Sequence, residues 1–265
     1  MVRAGALVAG FAVLTQTAAH LANRAWLDTR ELNADVDDSV LTWLAAGSSA
    51  AAALAAFTLA VLLRERRVQL VLLVAVLGLF ALDDVIALHE RASIKAAGVL
   101  RIDGDYARVL WPVLYFPLLV FALVVLWQLA GRAFHTAGLA IRLGLGFLAA
   151  AVGTEALWAT WHVGGGEIGD WPDTVEVAIE EGLELAGWML IASGLVAIAV
   201  QTWANSRSRL TTAAMHASSS CHENGLSHGA RKTVHDGASD VQHTGARAVD
   251  GGQRANREPA DSSRA

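Results

Sequence analysis

Eight side chains in apolar surroundings carry the chemistry of this sequence: Asp83, Asp84, His89, Glu90, Glu155, Glu180, Glu181 and Glu184. Asp83 and Asp84 interrupt the apolar run Val68 to Leu88, Glu155 interrupts Leu143 to Trp161, and the three glutamates lead into Leu185 to Trp203. A carboxylate at the centre of a bilayer costs roughly 2.5–3.5 kcal/mol on insertion scales, so a partner or a task must keep it there. Adjacent carboxylates in low dielectric cannot all stay ionised: some hold protons, or a cation neutralises them. An all-oxygen cluster suits a hard cation such as Ca²⁺, Mg²⁺ or Mn²⁺, and adding His89 or His162 shifts the choice towards Zn²⁺, Fe²⁺ or Mn²⁺. The eight residues are therefore candidate ligands of a divalent metal, Mn, Zn, Ca or Mg.

Simpler explanations compete at several of these positions. Glu180, Glu181 and Glu184 could lie just outside the lipid, where a helix N-terminus favours acids, and Glu176 is expected in water. His89, Glu90 and Arg91 sit at an interface where a local ion pair would suffice. His20 and His162 read as interfacial polar anchors. Asp83, Asp84 and Glu155 resist such explanations best, being short and flanked by apolar residues on both sides.

Familiar catalytic signatures are absent from the sequence. It has no His-Glu-x-x-His, no Glu-x-x-His pair and no Walker loop, and no Gly-x-Gly-x-x-Gly or Gly-x-Ser-x-Gly in the strand–turn–helix setting that a dinucleotide fingerprint or a nucleophile elbow needs: the letters recur only at Gly164 to Gly169 between two apolar blocks and at Gly225 to Gly229 in the polar tail. Gly164 to Gly166 form a loop without phosphate-binding context, and no catalytic residue is assignable.

The elements that must position the acids follow from composition. Hydrophobic residues make up 54% of the chain and charged residues 17%, with the apolar ones gathered in long blocks. That is the pattern of membrane spans, and the partner is a lipid bilayer. A net charge of −5 gives no ground for nucleic-acid binding. The single cysteine, Cys221, excludes an intrachain disulfide and a cysteine metal cluster.

The expected fold is an all-α membrane bundle of six helices: Ala4–His20, Ser39–Leu63, Val68–Leu88, Val109–Leu129, Leu143–Trp161 and Val175–Trp203. Residues 1–205 form this transmembrane domain. Residues 206–265, rich in Ser, Gly, His, Asp and Arg, cannot bury enough surface to fold and form a disordered polar tail. The first block ends like a signal-peptide cleavage site, but only Arg3 precedes it, so it reads as a retained span. Asp37, Asp38 and Ser39 cap the second helix. Trp111, Trp158, Trp161, Trp171 and Trp188 read mainly as an interfacial belt. Pro112 and Pro117 bend the fourth helix.

Loop charge sets the direction. Arg64, Arg66, Arg67, Arg132, Arg142, Arg207 and Arg209 cluster on one side, while residues 163–174 carry no Lys or Arg. The positive-inside rule then places both termini in the cytoplasm of a plasma-membrane protein, although Arg91, Lys95, Arg101 and Arg108 lie on the outer side. All the unusual acids fall in the outer half of the membrane. At 1.5 Å per residue, Asp83 is about 23 Å and Glu155 about 18 Å from the inner end of a core about 30 Å thick. On helical wheels, Asp83 and Glu90 fall within about 20° of each other while His89 points elsewhere. Glu155 shares a stripe with Trp158 and His162. The three glutamates of the last span occupy an arc of about 100°, and Gly187, one turn deeper, lets another helix approach.

Three segments carry a resemblance. Leu82-Asp83-Asp84…His89-Glu90, Gly153-Thr154-Glu155 and Glu180-Glu181-Gly182-Leu183-Glu184-Leu185-Ala186-Gly187 are similar to motifs of a widespread family of uncharacterised bacterial multi-pass membrane proteins. The resemblance covers about Asp37 to Val200 and implies a shared fold and acidic site, without an activity; Asp84 stands where Glu is common in that family.

Function divides three ways. Cation handling ranks first: an outward-facing acidic site in a transporter, channel or metal sensor. The second is a structural protein whose acids pair with Arg91, Arg101 or Arg108. The third is a metal-dependent intramembrane lipid hydrolase, for which the chain lacks the helix-borne histidines of the ceramidase and adiponectin-receptor group.

Overall fold

The computed structural model of the chain describes residues 2–27, 29–33, 39–101, 110–163 and 170–230. These residues are helical with short connections, and no strand occurs among them. The helices are α1 (Val2–Ala22), α2 (Val40–Leu62), α3 (Arg67–Ile86), α4 (Leu88–Leu100), α5 (Trp111–Arg132), α6 (His135–Val163) and α7 (Asp170–Ala230). Among the described residues six helical stretches are long and apolar enough to cross a membrane. They lie where the apolar blocks do, and α4 is the seventh, shorter helix. In a bilayer every backbone N–H and C=O must be satisfied within the segment, and a helix does that. Phe11, Leu54, Val113 and Leu157 face outwards, as lipid-facing side chains do.

Packing between spans relies on small residues, because lipid tails give apolar side chains little incentive to leave them. One face of α2 is alanine: Ala52, Ala53, Ala56, Leu59 and Ala60 are buried against Leu70, Leu73, Leu77 and Phe80 of α3. A Cβ added at Gly144 of α6 would stand 2.6 Å from the carbonyl oxygen of Gly187 of α7. Gly187 thus meets another helix as its position suggested. Helix α1 lies on α7, with Gly5 against Ser193 and Gly182 beside Val13 and Thr17.

The boundaries bring corrections. Helix α6 begins at His135, eight residues before the apolar block, because only Ala133 and Phe134 separate it from α5. Ser39 caps α2 as expected, accepting the N–H of Thr42 at 3.1 Å; Asp37 and Asp38 lie outside the described residues. Of the expected polar tail, residues 206–230 are described, as the end of α7. The remainder, 231–265, lies outside the described residues. The spans lie in one compact unit that ends at Thr211.

The third apolar block differs most. It is not one span to Leu88: the helix stops at Ile86, and Ala87 adopts φ 48°, ψ 50° before α4 begins. A non-glycine residue in this left-handed region costs roughly 1–2 kcal/mol, so the surroundings must hold it. The wheel relation between Asp83 and Glu90 assumed one continuous helix and does not cross this break.

Candidate functional site

What holds the break is Asp83. Its Oδ1 accepts the backbone N–H of His89 at 2.7 Å, and its Oδ2 lies 3.0 Å from His89 Nδ1. Ala87, the residue before α4, offers no side-chain cap. The carboxylate at the end of α3 therefore takes the place of an N-cap for α4. The Tyr115 hydroxyl of α5 adds a third bond to Asp83 Oδ1 at 3.3 Å. Asp83 is buried. The expectation that His89 points away from the acids is corrected: the left-handed residue swings the chain so that the imidazole returns onto Asp83.

Four other acids each meet a neutral donor. Trp111 Nε1 donates to Glu155 Oε1 at 2.6 Å, joining α5 to α6. Trp188 Nε1 donates to Glu184 Oε1 at 3.1 Å, one turn along α7. Trp158 Nε1 donates to Asp173 at 3.2 Å. The Ser49 hydroxyl of α2 stands 3.5 Å from Asp84 Oδ2 and 3.0 Å from the Ala46 carbonyl. A hydroxyl has one proton to give.

His89 is the centre of the arrangement. Its ring lies 5.2 Å from that of Trp111 and 6.4 Å from that of Tyr115. Asp84, Glu155 and Glu184 are all within Coulombic reach of it. Glu155 also reaches Glu184 and Glu176, and Glu180 reaches Glu155. Beneath them Phe80 packs on Tyr115 and Trp188, with centroids 6.4 and 6.0 Å away. One acidic network thus runs from the end of α3 through α6 to the start of α7.

Glu176 belongs to it, contrary to the expectation that it lies in water. It is 8% exposed and lies beside Glu180, one turn further along α7. Neighbouring carboxyl groups away from water cannot both stay ionised: one holds a proton, or a cation neutralises the pair.

The family model described as "Domain of unknown function (DUF8692)" matches residues 2–199. The chain belongs to the DUF8692 family. The DUF8692 region takes in α1 to α6 and the apolar part of α7, and with them every acid of the network. No curated protein and no solved structure matches the chain.

Within the DUF8692 domain, then, the structure joins Asp83, Asp84, His89, Glu155, Glu180 and Glu184 of the eight sequence candidates. Glu181, half-buried, is within Coulombic reach of Glu180. The side chains of Glu90 and His162 and the loop Gly164 to Gly166 lie outside the described residues. Among the described residues no group of three His, Cys, Asp or Glu side chains is arranged to hold a metal ion. Of the arginines considered as partners, Arg91 and Arg101 are exposed and Arg108 lies outside the described residues.

Sequence reasoning missed Trp111, Tyr115, Trp188 and Ser49. The tryptophans were read as a belt, which suits the exposed Trp161 and Trp171 but not the two that donate to Glu155 and Glu184. The usable signal was a buried acid needing a donor: Trp188 stands four residues from Glu184, on the same helix face.

Proposed function

We propose that this chain is a cation-handling plasma-membrane protein whose acidic network binds and passes protons, entering from the outer face. The observation that carries this reading is the network around His89. It holds six carboxyl groups (Asp83, Asp84, Glu155, Glu176, Glu180 and Glu184) and one imidazole. Chains of Asp, Glu and His inside spans mark proton and ion pathways. Two features favour the proton in particular: Glu176 is buried beside Glu180 one turn away, so the pair cannot carry two charges unaided, and the ring donors are neutral N–H and O–H groups. The arginine-rich turns at the ends of α2 and α5 lie at the opposite end of these helices from the acids, which supports an outer site with both termini in the cytoplasm.

A divalent cation is the second reading, favoured by the excess of carboxyl groups over the single imidazole. Asp84, Glu155, Glu180 and Glu184 would be the ligands, after side-chain movement to bring three of them together.

The test is proton entry into liposomes. Full-length protein is reconstituted around a pH-sensitive dye and a potassium–valinomycin potential is imposed. Wild type should acidify the lumen faster than empty liposomes, and Glu155→Gln and Glu180→Gln should each remove the excess flux. Folded variants that conduct like wild type would overturn the reading. Elemental analysis beside it decides the alternative: stoichiometric metal in wild type, lost in Glu155→Gln, would select the divalent cation.

A further inference from the structure

At the end of the bundle away from the acids, α5 and the turn between α2 and α3 border an open groove of about 600 Å³. Its mouth is lined by Arg64, Arg66, Arg67 and Arg132. Glu65 is the one acid in that lining, so the mouth keeps a surplus of three positive charges. Its wall then becomes apolar, with Leu72 of α3 and Phe121 of α5. Along α3 the lining runs from Arg67 to Leu72, about 7.5 Å of helix. The walls are tied together: Gln69 Nε2 of α3 donates to Gln128 Oε1 of α5 at 3.4 Å, and Arg67 Nε donates to the Ala60 carbonyl at 3.5 Å.

Charged loops at a membrane face need no ligand to explain them. A basic groove that continues onto the apolar side chains Val68, Leu72 and Phe121 does ask for one. Guanidinium groups take phosphate in paired hydrogen bonds, and basic pockets between spans on the cytoplasmic side suit anionic lipid heads. We propose that this groove binds one anionic phospholipid of the leaflet it faces, the phosphate among Arg66, Arg67 and Arg132 and an acyl chain along Leu72 and Phe121.

The experiment measures phosphatidylglycerol and phosphatidylcholine bound to the full-length protein by native mass spectrometry from detergent. Wild type should retain phosphatidylglycerol preferentially. The double variant Arg66→Gln/Arg132→Gln should weaken it about 30-fold, at about fivefold per charge, with phosphatidylcholine unchanged. Leu72→Trp, which fills the apolar wall and alters no charge, should weaken it too. Arg142→Gln, which removes a charge held 5.2 Å over Trp127 and outside the groove lining, should have little effect. Equal retention of both lipids would overturn the proposal. So would a loss in Arg142→Gln as large as in the double variant, which would mean diffuse surface charge. Displacement of phosphatidylglycerol by inorganic phosphate, undiminished in Leu72→Trp, would mean a free-anion site and would overturn it as well.

Discussion

Replacing Asp83 by Ala removes the group that holds α3, α4 and α5 together, and the cost can be worked from its bonds. Asp83 accepts the His89 backbone N–H at 2.7 Å, the Tyr115 hydroxyl at 3.3 Å and a contact with His89 Nδ1 at 3.0 Å. Leaving the first-turn N–H of α4 without an acceptor costs about 1–3 kcal/mol, and each of the other two bonds is worth about 0.5–1.5 kcal/mol. The sum is about 3 kcal/mol if water partly replaces the longer bonds. Asp83→Asn keeps one carbonyl oxygen for the His89 N–H and should lose only about 1 kcal/mol. For a unit of this size 1 kcal/mol moves the melting temperature by about 2–4 °C, so Ala should lower it by about 6–12 °C and Asn by about 2–4 °C. Tryptophan fluorescence during heating in detergent would follow this. If Ala and Asn melt together, or if neither moves, Asp83 does not cap α4 and its burial has another cause.

Three further outcomes follow from the same geometry. Ala87→Gly removes a Cβ from a residue at φ 48° and should raise stability by about 1 kcal/mol, seen as a higher melting temperature. Gly144→Ala would press a Cβ to 2.6 Å from the Gly187 carbonyl; a backbone atom cannot step aside, so thermal unfolding should show a loss of about 1–3 kcal/mol. Trp111→Phe leaves Glu155 without its 2.6 Å donor, and should slow proton entry in the liposome assay and cost about 1–3 kcal/mol of stability.

Much of this was legible in the residues. Long apolar blocks report spans because the bilayer removes water as a backbone partner, and charged residues inside them stand out for the same reason. That signal found Asp83, Asp84, Glu155 and Glu184. It failed where the determinant was three-dimensional. The break at Ala87 has no Gly or Pro to mark it in Leu82 to Glu90; it depends on a carboxylate four residues earlier acting as a cap across the turn. Glu176 looked like a solvated residue at a helix start, and its burial beside Glu180 comes from the folding of α7 onto its neighbours. Trp111 and Trp188 carry an apolar body and one polar N–H, so a belt residue and an acid's donor look alike until the other helix is in place.

The central claim is that the acidic network holds protons, and infrared spectroscopy of the protonated carboxyl group reads that directly. Wild-type protein in lipid at neutral pH, compared in H₂O and D₂O, should show a protonated-carboxyl carbonyl band that shifts with deuterium. The band should fall in Glu180→Gln, which removes one carboxyl of the neighbouring Glu176 and Glu180. No such band in wild type, or one that Glu180→Gln leaves untouched, would contradict the account.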